Sequence, residues 1–335
     1  MTARQAAIRH IAYYLPETQL TNETLAAELG DWTADKILEK TGISCRRIAA
    51  PNECSSDLGI AAAQALFDAG VCDRQDIDFL LFCTQSPDYF LPATACIVQE
   101  RLALRTDCGA LDFNQGCSGF VYGLAMAKSL IESLGLRNVL LITAETYSKF
   151  IHPRDRSVRT IFGDAAAATL ITAVESDEPL LGPFVFGTDG RGAANLIVPA
   201  GGMRQPISEQ TSIVMADKGG NERSQNHLYM NGAEVFNFTL QAVPSAVNAL
   251  LAKANKATDD IDYYVLHQAN RFMLDRLRQK MKIDERKFCI DMEDCGNTVS
   301  STIPIALARA NQRGTMMLVG FGVGYSWAAC LARVA

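Results

Sequence analysis

Three residues lie far apart in this chain of 335 residues yet have types that make chemistry together: Cys117, His267 and Asn297. Cys117 stands in "NQGCSGF", between two glycines and ahead of the apolar run "VYGLAMAKSLI". Ten cysteines are present, and most free cysteines are small buried hydrophobes, so the setting has to distinguish this one. It follows a predicted strand, "GALDF", and opens a predicted helix. There the unsatisfied N–H groups and the positive end of the macrodipole favour thiolate over thiol. Gly116 and Gly119 leave room for a substrate and a sharp turn. His267 closes the apolar run "YYVLH" and is of the one side-chain type that ordinarily titrates near neutrality, which suits a proton partner. Asn297, in "DCGNTVSSTIP", exchanges no proton, but its amide can hold a carbonyl oxygen that becomes an oxyanion. Each also has a plainer reading: a tight helix entry, a strand-end histidine, a Gly-Asn turn that caps the next helix.

The elements that must position these residues are written twice. "DIDFLLFCTQ" (76–85) and "DIDYYVLHQA" (260–269) each follow an Ala-rich helical stretch and read as buried strands. Downstream, "GALDFNQGCSG", a helix and "NVLLITAE" match "FCIDMEDCGNT", a helix and "TMMLVGFG". A repeat at half the chain length means a duplicated α/β unit rather than a solenoid. The pattern predicts mostly parallel sheets with helices on their faces, and ligands beyond the carboxyl ends of the strands. Cys117, His267 and Asn297 all fall at such ends, which brings a nucleophile and its proton partner together. The division is expected in "AVESDEPLLG" (173–182), giving halves 1–175 and 176–335.

Composition excludes several classes. The net charge of −6 argues against nucleic acid, and only four histidines with no CxxC pair argue against a structural zinc. No apolar stretch is expected to reach the roughly 18 residues that span a bilayer, and "MTARQAAIRHIAYYLPE" lacks a secretory core. The expectation is a soluble, cytoplasmic protein with reduced cysteines and no membrane contact. No G-x-G-x-x-G follows the first strand, which disfavours a dinucleotide site.

"YLPE", "KTGI", "RRIAAPNE", "NQGCSGF", "DRSVRTIFGDAAAA", "HQAN", "GNTVSSTIP" and "GFGVGYSW" occur in this order along the chain. With them the chain resembles the β-ketoacyl-acyl-carrier-protein synthase III family, thiolase-fold condensing enzymes, over nearly its whole length. The resemblance implies an α/β fold of two duplicated halves in an α-β-α-β-α sandwich, a homodimer, and a Cys117-His267-Asn297 triad. It implies that Cys117 takes an acyl group from an acyl thioester, most simply acyl-coenzyme A. His267 and Asn297 then hold a malonyl thioester while CO₂ leaves and the carbanion attacks acyl-Cys117. No metal or redox cofactor is called for. The oxyanion donors would be the backbone N–H of Cys117 and that of Val323, which stands where the family usually has the middle of three glycines.

By the same resemblance, Asn270 of "HQAN" belongs to the substrate site. Arg156 matches an arginine that stacks the coenzyme A adenine, and Lys36 falls where its tryptophan partner is expected. That substitution makes a carrier-bound donor credible. Leu91 matches the position of an aromatic gate into the partner subunit's tunnel. The stretch "RFMLDRLRQKMKIDERK" is basic in an acidic chain. There Met273, Leu277 and Met281 are expected to face the core, and Arg271, Arg278 and Lys282 to form a dock for an acidic acyl carrier protein. A second basic cluster is Lys149, Arg154, Arg156 and Arg159. Two rival readings stand: acyl transfer from Cys117 to an oxygen or nitrogen nucleophile, and a partner subunit of a heterodimeric synthase.

Overall fold

The repeated strings become two sheets of one design. The computed structural model describes residues 3–30, 32–310 and 312–334. The first sheet holds β1 (Ala3–Tyr14), β2 (Phe79–Cys83), β3 (Gly109–Phe113), β4 (Asn138–Glu145) and β5 (Ala165–Ser176), ordered β1-β5-β4-β2-β3. The second holds β6 (Leu181–Thr188), β7 (Tyr263–Leu266), β8 (Gly314–Gly322) and β9 (Ser326–Val334), ordered β7-β8-β9-β6. Phe288 adds one parallel bridge to Tyr264, at the place that β3 takes beside β2.

Both sheets are mixed, which corrects the expectation of mostly parallel pairing. β2 is parallel to β3 and β4, and β7 to β8, whereas β1–β5, β4–β5, β8–β9 and β9–β6 are antiparallel. A parallel neighbour needs a long crossover. Between β4 and β5 the chain forms short helical turns, Tyr147–Phe150 and Arg156–Arg159, and β8 returns as β9 after three residues.

Six helices make three layers around the sheets: α1 (Ser55–Asp68), α2 (Thr94–Arg101), α3 (Gly119–Leu134), α4 (Gly232–Ala254), α5 (Arg271–Met281) and α6 (Thr302–Ala310). α1 and α2 cover the first sheet, α4 and α5 the second, and α3 with α6 fill the space between them. The central strands are apolar without interruption because both faces are buried. Along β8, Met316 and Leu318 join the middle layer with Phe120 and Ile303, while Met317, Val319 and Phe321 face Leu250 and Leu274. Helix α4 has 23 residues and is long and apolar enough to cross a membrane by length and composition alone, although polar residues interrupt it. Val243, Val247, Leu250 and Leu251 are nevertheless buried on the second sheet, as in a core helix.

Candidate active site

Cys117 occupies the turn between β3 and α3, one step earlier than expected: the helix begins at Gly119 with Ser118 as its cap. The Gly119 N–H donates to the Gly116 carbonyl at 2.8 Å, which closes the turn. The turn is pressed against the end of β8. A Cβ on Gly320 would lie 2.6 Å from the Ser118 Cα, and one on Gly322 2.8 Å from both Cβ and Sγ of Cys117. Real Cβ atoms do not approach so closely, so these two glycines let the second sheet touch the nucleophile. Val323 is accommodated because its Cγ1 fills the space beside Gly116, 2.7 Å from where a Cβ there would be. The backbone groups of Val323 and of Cys117 itself both act on the thiol in the direction that favours its ionised form.

Burial opposes the thiolate that the helix end favours. Cys117 is 5% exposed, and burial, with the carboxylate of Glu145 after it, pushes its thiol up to about 12. A helix end contributes of order 1 kcal/mol, whereas full desolvation of a charged group shifts its titration by several units.

His267 follows β7 and Asn297 stands ahead of the turn Val299–Ser301 that leads into α6. Both are buried. Val299 organises them. Its N–H donates to Asn297 Oδ1 at 2.9 Å, which turns the amide NH₂ towards His267 Nε2 and the Ala269 carbonyl, each 3.4 Å away. Its carbonyl accepts the Thr302 hydroxyl at 3.0 Å, and Thr302 Oγ1 lies 2.7 Å from His267 Nδ1. With the hydroxyl hydrogen so committed, Nδ1 must donate, and the lone pair remains on Nε2. Making both contacts requires Val299 to adopt φ +55°, a left-handed conformation that costs a β-branched residue about 1–3 kcal/mol. Burial drags the imidazolium of His267 down to about 3, so the ring is neutral at rest.

Cys117, His267 and Asn297 line one cavity of 280 Å³, walled by Phe162, Met230 and Phe321. Asn270 lines it too, but its Oδ1 is engaged in capping α5 through the Met273 N–H at 2.9 Å.

The outlying residues fare differently. The aromatic partner of Arg156 is Trp32, not position 36: the guanidinium carbon lies 5.8 Å from the Trp32 ring centre. Lys36 and Lys40 stand 5.2 and 5.6 Å from the same ring, so Lys36 accompanies the tryptophan instead of replacing it. The signal available was a tryptophan just before a helix-capping threonine, Thr33, on a chain that has two tryptophans. Leu91 is 81% exposed on a loop with Tyr89 and Phe90, so it is no core leucine. Arg271, on α5, and Lys282, at its C-terminal cap, are exposed, with Arg271 facing Asp275 at 3.9 Å, but the Arg278 side chain is only 21% exposed and faces Glu285 at 3.7 Å, which corrects its place in a free basic stripe. In the second basic cluster, Arg159 pairs with Glu28 at 2.5 Å and Arg154 with Glu222, while Lys149 donates to the Pro51 carbonyl at 2.9 Å. Sequence reasoning missed Glu145, Thr302 and the backbone of Val299.

Residues 111–190 match the model of 3-oxoacyl-[acyl-carrier-protein] synthase III, and residues 251–334 match its C-terminal model. The β-ketoacyl-[acyl-carrier-protein] synthase III of Caldanaerobacter subterraneus subsp. tengcongensis is 36% identical, the match covering 98% of this chain and 97% of that protein. A crystal structure of a 3-oxoacyl-(acyl-carrier-protein) synthase III superposes with a TM-score of 0.97 at 56% identity, over 98% of this chain and 100% of that one. The 3-oxoacyl-(acyl-carrier protein) synthase of Burkholderia xenovorans superposes at 0.90 with 33% identity, over 100% of this chain and 96% of the other. A relative more than a third identical from end to end, and family models that take in Cys117 on one side and His267 and Asn297 on the other, lead to one conclusion: the chain belongs to the β-ketoacyl-acyl-carrier-protein synthase III family, thiolase-fold condensing enzymes of the acyltransferase type.

Proposed function

We propose that Cys117 carries the acyl group and that His267 and Asn297 activate a malonyl thioester for decarboxylative condensation. The observation that carries this reading is the meeting of all three side chains on one cavity. In the first half-reaction the S–H bond of Cys117 breaks as sulfur adds to the acyl carbonyl, and the proton passes to the free lone pair of His267 Nε2. The oxyanion is held by the N–H groups of Cys117 and Val323. Collapse expels the donor thiolate, which takes that proton back, since burial disfavours the imidazolium. A turn of the Thr302 hydroxyl towards Nδ1 places the ring proton on Nε2, and neutral His267 then joins Asn297 in offering N–H to the malonyl thioester oxygen. CO₂ leaves, the enolate carbon attacks acyl-Cys117, and the released thiolate takes a proton from solvent. The thioester itself is the electron sink, so the scheme uses no cofactor.

Trp32 with Arg156 over its ring supplies the aromatic and cationic pair that could stack a coenzyme A adenine once they part, which favours an acyl-coenzyme A donor over a carrier-bound one. Exposed Arg271 and Lys282 suit an acidic acyl carrier protein that brings the malonyl group. We infer a soluble, cytoplasmic homodimer of two-half subunits. Strand β3 is an unpaired sheet edge, and beside it Leu111, Leu134 and Phe186 are exposed on an apolar groove of 540 Å³. The exposed Leu91 loop would then reach the partner's tunnel. Exposure to a panel of acyl thioesters followed by intact-protein mass spectrometry, then malonyl thioester with trapping of CO₂, tests the scheme. An adduct on Cys117 that transfers to oxygen or nitrogen nucleophiles without CO₂ release would overturn it in favour of simple acyl transfer.

A further inference from the structure

Glu145, the last residue of β4, is fully buried and has no part in the scheme above. Its carboxylate accepts the Gln85 N–H at 3.0 Å and the hydroxyls of Ser86 and Ser300 at 3.1 Å each, with no cation among these partners. The same neighbours wall the nucleophile's turn. A Cβ on Gly116 would meet the Gln85 side chain at 2.4 Å, and one on Gly119 would meet Cys83 Sγ at 2.3 Å and Ser300 Cβ at 3.7 Å. Glu145 therefore stands directly behind the Cys117 turn, one residue from it on two sides. A buried carboxyl with no cation among its hydrogen-bond partners is costly to ionise.

We propose that Glu145 is a positioning residue for the nucleophile: as it ionises above neutral pH, its buried charge adds to burial in holding Cys117 as a thiol until His267 takes the proton during acyl transfer. Other titratable groups face the same charge. Burial first, and this charge after it, raise Cys83, Tyr147 and Cys117 alike. Burial raises Glu145 itself to about 8, so its charge grows across the neutral range. Below that range Glu145 is neutral and exerts no repulsion; above it the repulsion is full. At alkaline pH the device slows the reaction of Cys117 with adventitious electrophiles.

The inference rests on Cys117 as the acyl carrier, but its test does not use turnover. Alkylation of Cys117 by iodoacetamide, read by peptide mass spectrometry so that exposed Cys96 does not interfere, is followed from pH 6 to pH 9. For Glu145→Gln the rate relative to the unmodified enzyme is expected near unity at the acid end. It should rise to about tenfold at the alkaline end, the equivalent of one pH unit in the thiol. An equal rate at every pH overturns the proposal. A uniform acceleration also overturns it, because that marks a loosened turn and not a removed charge. Ser300→Ala provides a second route should Glu145→Gln not fold. Losing a donor to the carboxylate keeps Glu145 neutral to higher pH, so Cys117 should again react faster near pH 8, and an unchanged rate there refutes the idea. Retained condensation by Cys117→Ala would instead sink the acyl-carrier assignment.

Discussion

Strands β4 and β8 are equivalent in the duplicated design, yet they support the site by opposite means. β4 presents Thr143 and Glu145 to the turn before α6, and both are satisfied by hydrogen bonds, Thr143 Oγ1 to Ser301 Oγ at 2.9 Å and Glu145 to Ser300 at 3.1 Å. β8 presents Gly320 and Gly322 at the corresponding positions, and these meet Ser118 and Cys117 through the lack of a side chain. The strand ends differ likewise. Cys83 closes β2 where His267 follows β7 in the aligned strings "DIDFLLFC" and "DIDYYVLH". Duplication supplied two similar turns at two sheet ends. Chemistry was divided between them by whether the neighbouring strand offers hydrogen bonds or empty space. The Cys117 turn is located sterically; the turn after Asn297 is located by polar contacts.

The largest expected effect lies on the nucleophile's side. Cys117→Ala should give no acyl adduct by mass spectrometry and no β-ketoacyl product, with thermal stability close to the parent. An adduct that persists would break the division at its root. On the other side, Asn297→Ala should retain single-turnover acylation and lose about a hundredfold to a thousandfold in CO₂ release, the usual effect of removing one oxyanion donor. If acylation collapses while decarboxylation survives, the roles of the two turns are exchanged.

Two smaller effects concern the supports. Gly320→Ala places a Cβ 2.6 Å from backbone of the Ser118 turn, and overpacking of that kind costs about 1–3 kcal/mol. Its melting temperature should fall, and the rate of Cys117 acylation with it. Ser301→Ala removes hydroxyl contacts to Thr143, with an expected cost of about 1 kcal/mol measured by denaturant unfolding. A Ser301 variant that loses more stability than the Gly320 variant would contradict the contrast between steric and polar support.

Much of this was legible in the sequence because duplication is a long-range signal. Two matching strings place Cys117 and His267 at comparable strand ends without any coordinates, and the glycines flanking Cys117 announce close approach. The pairing sense of β5 and β9 was not legible. Alternation of strand and helix implies crossovers, and it fails where two long strands follow each other. The opposition to the thiolate was not legible, because a local feature, the helix end, is visible in sequence while burial and the charge of Glu145 are not. Glu145 had a trace: an acid closing the otherwise apolar strand "NVLLITAE". Trp32 was missed because position was matched before residue type, and its neighbour Arg156 is close only in space.

The left-handed backbone of Val299 has a consequence for how the site comes apart. One peptide unit orients the amide of Asn297 through its N–H and, through Thr302, the ring of His267. Local opening of this turn would therefore release both side chains in one step, as a small cooperative unit rather than two independent ones. The amide hydrogen of Val299 is the natural reporter of that event. Its exchange with solvent should proceed at the rate at which the whole donor pair is lost, and slow in proportion when a malonyl thioester analogue occupies the cavity.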